Sequence, residues 1–356
     1  MYWFSGEYLL WWRRGASAPA LVTTSETGAD SDVAGALGEP GTSVLFGDGD
    51  LHTGSRNGTR WTGGLWLNRA RSLGVEVRYT SLEVDSDEFF AGQADTDVIA
   101  RPFFNTQLSA EDARLINFDG VAQGDVAIFS DTDFDTTEIM LLRCVGGQSG
   151  ISNMLFGYRT MSLDETIRIE ESSTSLMAPT MGTITNLFDQ FAVENTFHGA
   201  QIGVHYVTQM YPNWTFDFQG KAGIGNTRSR VQIEGQTTTT VPDPNPLLPP
   251  LDTSTTSGGL LALGTNSGSS VDDDFGAVFE IGLNLHRDFR NGLQFKIGYT
   301  FVHWGNVLRA VEQIDPTINP TQIPPDTLAG TARPSLDFNR SSFWAQGLNL
   351  GLEYRF

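Results

Sequence analysis

The chain ends in FWAQGLNLGLEYRF, residues 343–356, and this segment gives the clearest indication of the fold. Counted back from its end, one set of alternate residues is mainly apolar or aromatic: Phe356, Tyr354, Leu352, Leu350, Leu348, Gln346 and Trp344. The set between them is mainly polar or small: Arg355, Glu353, Gly351, Asn349, Gly347, Ala345 and Phe343. A period of two residues predicts a β-strand with one apolar face and one polar face.

The same alternation recurs upstream. Strong copies occupy residues 2–12, 74–80, 214–224, 275–286 and 293–301, and weaker copies occupy 59–68, 136–145, 151–163 and 196–207. Together with the terminal stretch these segments predict about ten strands, with twelve as the alternative. In several of these segments one face is apolar, as contact with lipid requires, and the other face carries charged residues.

The connections indicate how the strands are joined. Short segments rich in Gly, Asn or charge lie at 69–72, 146–150, 208–213 and 287–292, and are typical of tight hairpins. Between them lie long segments at 13–58, 84–135, 164–195, 230–274 and 307–342. This regular alternation is typical of an up-and-down transmembrane barrel with short periplasmic turns and long outer loops. We expect one domain over residues 1–356: a single closed antiparallel all-β barrel.

Composition excludes other classes of protein. The 356 residues have a net charge of −20, so the basic surface of a nucleic-acid-binding protein is absent. No segment approaches the ~18–20 consecutive apolar residues of a membrane-spanning helix. One cysteine, Cys144, excludes an internal disulfide and is interpreted as a small apolar strand residue. The start, MYWFSGEYLLWW, lacks the features of a signal peptide, which an exported protein needs, so we expect that the true N-terminus differs.

Segments along nearly the whole chain resemble a known family. They include GEYLLWW (6–12), LGEPGTSVLFG (37–47), ARPFFN (100–105), GYTFVHWGNVLRA (298–310) and the terminal FWAQGLNLGLEYRF. The chain is similar to the planctomycete "putative beta barrel porin" family, the seventh of its naming series. The resemblance implies an integral outer-membrane location and a porin-like function, and it brings no catalytic residues. Tyr354 and Phe356 then fit the C-terminal signal that outer-membrane barrels present to their assembly machinery.

Charged residues on the inner faces are the candidate site. They are Glu7, Arg60, Glu76, Arg78, Arg159, Asp217, Lys221, Glu280, Lys296, Glu353 and Arg355. A bore of about ten strands is only slightly wider than one that side chains fill at about eight, so these charges need partners. Two interpretations stay open: an ion-pair network that plugs the barrel, or a charged constriction that selects small solutes or ions.

Acidic clusters suggest weaker alternatives. Asp131, Asp133 and Asp135 resemble the start of a calcium loop, but Thr136 and Leu142 stand where that loop needs Gly and Glu. They remain a weak candidate for a metal site. Some ten-stranded outer-membrane barrels are proteases that use Asp and His at the outer rim, and here Asp85, Asp87 and His303 are the residues to consider.

Three functional hypotheses follow. The first is passive, porin-like passage of small solutes or ions through a narrow charged lumen, with no cofactor and no enzymatic activity. The second is a closed structural or adhesive barrel whose long acidic loops bind partners or divalent cations. The third, an enzyme at the outer rim, has the least support. The expected partners are the lipid bilayer, the assembly machinery and small solutes.

Overall fold

A computed structural model describes all residues except 147–149, 244, 246–247, 290 and 325–326. Over the described residues the strands are, in chain order, β1 (Tyr2–Arg13), β2 (Ala16–Ala18), β3 (Val22–Thr24), β4 (Ser43–Phe46), β5 (Gly49–Leu51), β6 (Ser55–Trp66), β7 (Leu73–Ala91), β8 (Ile99–Asn105), β9 (Ala110–Asn117), β10 (Ala122–Cys144), β11 (Ile151–Ser175), β12 (Ile184–Tyr211), β13 (Trp214–Val241), β14 (Asp252–Ser257), β15 (Gly268–Asp288), β16 (Leu293–Leu308), β17 (Thr317–Ile318) and β18 (Arg340–Arg355). Two short 3₁₀ helices cover Val311–Gln313 and Pro320–Gln322. No helix in this part of the chain is long and apolar enough to cross a membrane.

Ten of these strands close into a ring. The order around it is β1, β6, β7, β10, β11, β12, β13, β15, β16 and β18, and β18 pairs with β1. All neighbours are antiparallel, and the register places Leu350 opposite both Tyr8 and Ile297. The predicted all-β closed barrel of ten strands is therefore confirmed.

Both ends of the chain lie at the end of the ring that carries the short turns. The tightest turn joins Tyr211 to Trp214, and Asn213 adopts a positive φ of 69° there, a conformation that Asn tolerates better than most residues. Part of the predicted turns 146–150 and 287–292 lies outside the described residues. We call the end of the barrel that holds both chain termini and the short turns the short-turn end, and the opposite end the outer end.

The strands differ greatly in length. β1 and β6 have 12 residues each, whereas β12 and β13 have 28 each. Because about 9–11 residues cross a bilayer, one side of the wall extends far beyond it. The strands thus run into the predicted loops 84–135, 164–195 and 230–274, and residues 176–183 are all that connect β11 to β12. The alternation continues there, but the outward face of these strand extensions is mainly polar, because they lie beyond the apolar outer band of the barrel.

The two faces of the wall differ in chemistry. Phe279, Ile281, Ile297, Tyr299, Leu350 and Leu352 point outward and are 39–54% exposed. Lys296, between Phe295 and Ile297, points inward and is buried. Further along the tall strands the outward positions carry charge, as at Asp135 and Asp164. The apolar band ends where these charges begin, and it supplies the surface that the hydrocarbon of a bilayer requires.

A cap covers the outer end of the ring. It consists of a sheet of β17, β8, β3 and β4 with β9 alongside, and of the small pair β2 and β5. Its apolar side packs on the inward residues of the tall strands in one buried cluster, which includes Val22, Ile99 and Ile318 from the cap and Ile167 and Phe191 from the wall. The connection 242–267 contributes Leu260 and Leu263 to the same cluster.

Candidate functional site: the barrel interior

A layer of buried ion pairs crosses the bore near its middle. Glu138 lies directly opposite Arg78 on one side and Arg159 on the other, and Lys221 lies opposite Glu280. Arg78 Nη1 is 3.3 Å from both Glu138 Oε1 and Glu280 Oε1, and Lys221 Nζ is 3.2 Å from Glu280 Oε1. Lys221 also bonds Glu138, and Arg159 bonds Glu280. We call these five residues the charged layer.

A second ion group adjoins the charged layer. Glu7 lies opposite Arg60 in the register, and its carboxylate is 3.5 Å from Arg60 Nη1 and 3.0 Å from Lys296 Nζ. The guanidinium of Arg60 also lies over the ring of Trp11, 5.2 Å from its centre. Opposite charges are therefore matched side by side across the bore, as burial away from water demands.

An apolar layer lies between the charged layer and the cap. Its side chains are each 0–2% exposed, and they are Leu9, Trp11, Leu82, Phe134, Met161, Leu163, Phe197, Val278, Val302, Trp304, Val307, Phe343 and Ala345. The indole N–H of Trp304 donates to Thr227 Oγ1 at 3.0 Å, and that of Trp11 donates to Asn349 Oδ1 at 2.8 Å. Side chains from eight of the ten ring strands, all but β6 and β13, thus meet in the bore and fill it.

A third polar group lies beneath the cap. Asp85 accepts from Arg13 and is paired with Arg56, and Arg309 bonds Glu165 through Nε at 2.8 Å. His52, in a left-handed conformation with φ of 61°, lies beside Asp85.

The ring of His52 is held on both sides. Nε2 is 2.8 Å from Ser130 Oγ, and Nδ1 is 3.2 Å from Asp85 Oδ2 and 3.3 Å from Asp87 Oδ2. Ser130 is 2% exposed, so the arrangement fixes the imidazole and does not present a nucleophile to solvent. Burial, and next the positive charge of Arg13, lower the pKa of His52 to about 4, although the charge of Asp87 opposes the shift.

We expect this histidine to make stability depend on pH. Between pH 6.5 and 4 the unfolded chain binds a proton that folded His52 refuses, so the free energy of unfolding falls as pH drops through that window, by at most about 3 kcal/mol. His52→Gln, which stays neutral throughout, should have a flatter profile from pH 7 to 4 in urea unfolding. The lowered pKa of Asp315 in the cap affects only a more acidic range. Parallel profiles for the two proteins would contradict the assignment.

A cavity of about 390 Å³ opens at the short-turn end, below the charged layer. Its wall includes the aromatic rings of Trp3 and Trp66, and polar side chains of β11, β12, β13, β15, β16 and β18. Asp217 on this wall accepts from Asn284 Nδ2 at 2.7 Å and lies 2.8 Å from His286 Nε2.

The sequence-predicted lumen residues fall into two places. Glu7, Arg60, Arg78, Arg159, Lys221 and Glu280 form or adjoin the charged layer, and Arg78 extends from it to the cavity. The cavity wall also holds Glu76, Asp217, Lys296, Glu353 and Arg355. The last two pair with each other at 2.6 Å at its mouth.

Sequence reasoning missed Glu138, and it missed that Asp85 is buried beside His52, Arg13 and Arg56. Glu138 is followed by inward Met140 and Leu142 and outward Ile139 and Leu141, so no polar face marks its strand. Only the register of the two strands, which places Glu138 directly opposite Arg78, reveals its role.

The weaker candidates are placed as follows. Asp131, Asp133 and Asp135 alternate along the outward side of β10, and Asp131 accepts from Ser86 instead of sharing a ligand shell. The one metal-capable group found among the described residues is His52, Asp85 and Asp87, but Arg13 and Arg56 already neutralise Asp85. We therefore assign no metal to either set.

The proposed rim set of Asp85, Asp87 and His303 is not formed. Asp85 and Asp87 both lie beside His52, whereas His303 lies on the outward face of β16, with its ring 6.4 Å from that of Phe279. The hypothesis that these three act together is therefore wrong. At the C-terminus, the rings of Tyr354 and Phe356 lie edge to face at 4.6 Å on the outside of the wall, and both are exposed.

A closed antiparallel ring with an oily outer band and a charged interior defines a membrane-spanning β-barrel. The sequence profile of the "Putative beta barrel porin-7 (BBP7)" family matches residues 3–356, so the chain belongs to that family and is an outer-membrane β-barrel.

Other comparisons add little. No curated protein matches the chain. Similar solved structures include the "TodX deltaS2S3 mutant monoaromatic hydrocarbon channel" (9% identity, 99% of this chain and 89% of that one, TM-score 0.24) and the toluene transporter TodX of Pseudomonas putida (7%, 99% and 88%, 0.23). OmpT of Vibrio cholerae is a third (6%, 99% and 99%, 0.14). At these TM-scores the similarity supports no statement about this chain.

Proposed function

We propose that this barrel is closed and serves as a membrane anchor for its cap, which is the working part. The observation that carries the proposal is the apolar layer, whose side chains fill the bore to 0–2% exposure. A conducting pore needs a continuous aqueous path, and an interior packed in this way holds none. The charged layer beneath it is the plugging ion-pair network, since each of its charges already has a partner of opposite sign.

The cap has the character of an interaction surface. Between residues 25 and 50 it exposes Glu26, Asp30, Asp32, Glu39, Asp48 and Asp50, and this segment contains no Lys or Arg. Such a field favours partners of positive charge, either a basic protein surface or divalent cations. Because cap and wall share one buried cluster, we infer that residues 1–356 form a single domain.

At the short-turn end, strand β18, which closes the ring, offers residues to a partner. Tyr354 and Phe356 lie exposed at the short-turn end, where an assembly factor can reach them. We propose that they form the assembly signal. No catalytic role is proposed, because the Ser130 and His52 pair is sealed under the cap.

A second candidate, passage of small solutes, is favoured by one observation. The cavity already leads from the short-turn end to Arg78 in the charged layer. Passage would require the apolar layer and the cap to move together, so the resting state would still be shut.

A conductance measurement distinguishes the closed anchor from a barrel that passes solutes. Purified, folded protein in planar bilayers should produce no discrete current steps at 1 M salt and moderate voltage. Refolding should be verified by heat-modifiable migration, and a known porin should serve as the control for insertion. Regular steps from folded protein would overturn the closed-anchor proposal and support solute passage.

A further inference from the structure

The outward face of β10 changes its charge from one end to the other. Asp133 and Asp135 lie outward above the oily band. Outward Ile139 and Leu141 lie within the band, 51% and 41% exposed, and Arg143 is the next outward residue toward the short-turn end. Arg143 therefore leaves the oily band at the depth where the lipid headgroups of one leaflet begin.

Two more exposed arginines lie beside Arg143. Arg69 and Arg71 are exposed in the turn that joins β6 to β7. The amide of Cys144 donates to the carbonyl of Ser72 at 3.0 Å. These two residues directly follow Arg143 and Arg71, so the turn lies against the end of β10. We call Arg69, Arg71 and Arg143 the basic cluster.

In the part of the chain that the structure describes, no acid neutralises the basic cluster. Residues 51–75 and 139–163, which contain the cluster, include no Asp or Glu. None of its guanidinium groups forms an ion pair or a hydrogen bond with a described residue. The next acid along the chain from the turn is Glu76, and it bonds Arg78 at 3.1 Å. The cluster is thus an unpaired positive surface on a chain whose net charge is −20.

The residues around the basic cluster are apolar. Leu67, two residues before Arg69, is 53% exposed, and Val145, two residues after Arg143, is 55% exposed. A partner that fits here needs an apolar part for these side chains and a negative group for the arginines. Guanidinium groups bind phosphate oxygens bidentately, which an ammonium cannot do. A phospholipid with a phosphate headgroup meets both requirements at once.

The two borders of the oily band differ in charge. At the short-turn border, Arg287 is exposed at the end of β15, and its guanidinium lies over the ring of Trp214, 4.9 Å from the ring centre. At the outer border, one row of neighbouring outward residues holds three acids to one base: Asp133, Asp164, Glu194 and Arg230. A negatively charged lipid is therefore favoured at the short-turn border and repelled at the outer one.

We propose that the basic cluster binds the headgroup of an anionic phospholipid in the leaflet on the short-turn side. Each arginine that meets an anionic headgroup should strengthen binding roughly fivefold. Because the guanidinium groups are exposed, added salt should weaken the binding. The site fixes the depth of the barrel in the bilayer, and it does not depend on whether the bore is closed.

Native mass spectrometry of the full chain, released from detergent, tests the proposal with phosphatidylglycerol as the probe. We expect one phosphatidylglycerol to bind roughly tenfold more tightly than phosphatidylcholine, whose headgroup has a phosphate but no net charge. This preference should be lost in a triple variant of the basic cluster: Arg69→Gln, Arg71→Gln and Arg143→Gln. It should persist in a matched control that removes three charges from the outward side of the outer end: Arg168→Gln, Arg228→Gln and Arg230→Gln.

All six arginines are at least partly exposed, so both variants should fold, and heat-modifiable migration checks this. Arg143→Gln alone, with an expected loss of roughly fivefold, serves if the triple variant does not fold. Equal affinity of the wild type for the two lipids, or an equal loss in the control, would overturn the proposal. Preference for soluble polyglutamate would indicate an acidic protein partner, and displacement of the lipid by equimolar inorganic phosphate would indicate a soluble ligand. Either result would also overturn it.

Discussion

Glu280→Ala is expected to destabilise the barrel by about 3–5 kcal/mol, because it removes one partner from a buried ion network. The carboxylate of Glu280 is the common acceptor for Arg78, Arg159 and Lys221. Without it, Glu138 would be left to pair with both Arg159 and Lys221, and it would share Arg78 with Glu76. Urea unfolding in lipid vesicles, followed by loss of the heat-resistant folded band, measures the change.

Two comparisons make the result specific. Glu353→Ala removes an acid whose partner Arg355 is half exposed at the mouth, and should cost less than about 1 kcal/mol. Adding Lys221→Met to Glu280→Ala removes one of the orphaned cations and should recover part of the loss. A cost for Glu280→Ala no larger than that for Glu353→Ala would show that the charged layer is hydrated.

The barrel itself was predictable from the sequence, because strands that cross lipid must alternate. Leu350, Ile297 and Phe279 face hydrocarbon, and the residues between them do not, so period two is plain in the sequence. The strand ends were less predictable. Above the oily band the outward residues, such as Asp135 and Asp164, are polar, and the pattern that marks a strand in lipid disappears although the hydrogen-bonded ladder continues.

The charged residues of the interior were found for a similar reason, because they occupy inward positions on strands with an oily outer face. The apolar layer was not found from the sequence. Leu9 and Trp11 point inward while Leu10 and Trp12 point outward, so a strand that is apolar on both faces gives no sign of what fills the bore. The cap was equally hidden, since its strands are short and pair with segments far away in the chain, as β17 does with β8.

Whether the bore is filled can be measured by the accessibility of thiols placed along one strand. Gln294 and Val302 both point inward on β16, but Gln294 lines the cavity and Val302 lies in the apolar layer. In a Cys144→Ser background, which removes the native thiol, each is replaced by cysteine and exposed to a small, charged, water-soluble thiol reagent.

We expect that Gln294→Cys reacts within minutes and that Val302→Cys stays unmodified until the protein is unfolded. Val302→Cys is nearly isosteric, so it should leave the packing intact. Modification of both positions at similar rates in the folded protein would show that water passes through the apolar layer, and it would contradict the closed barrel.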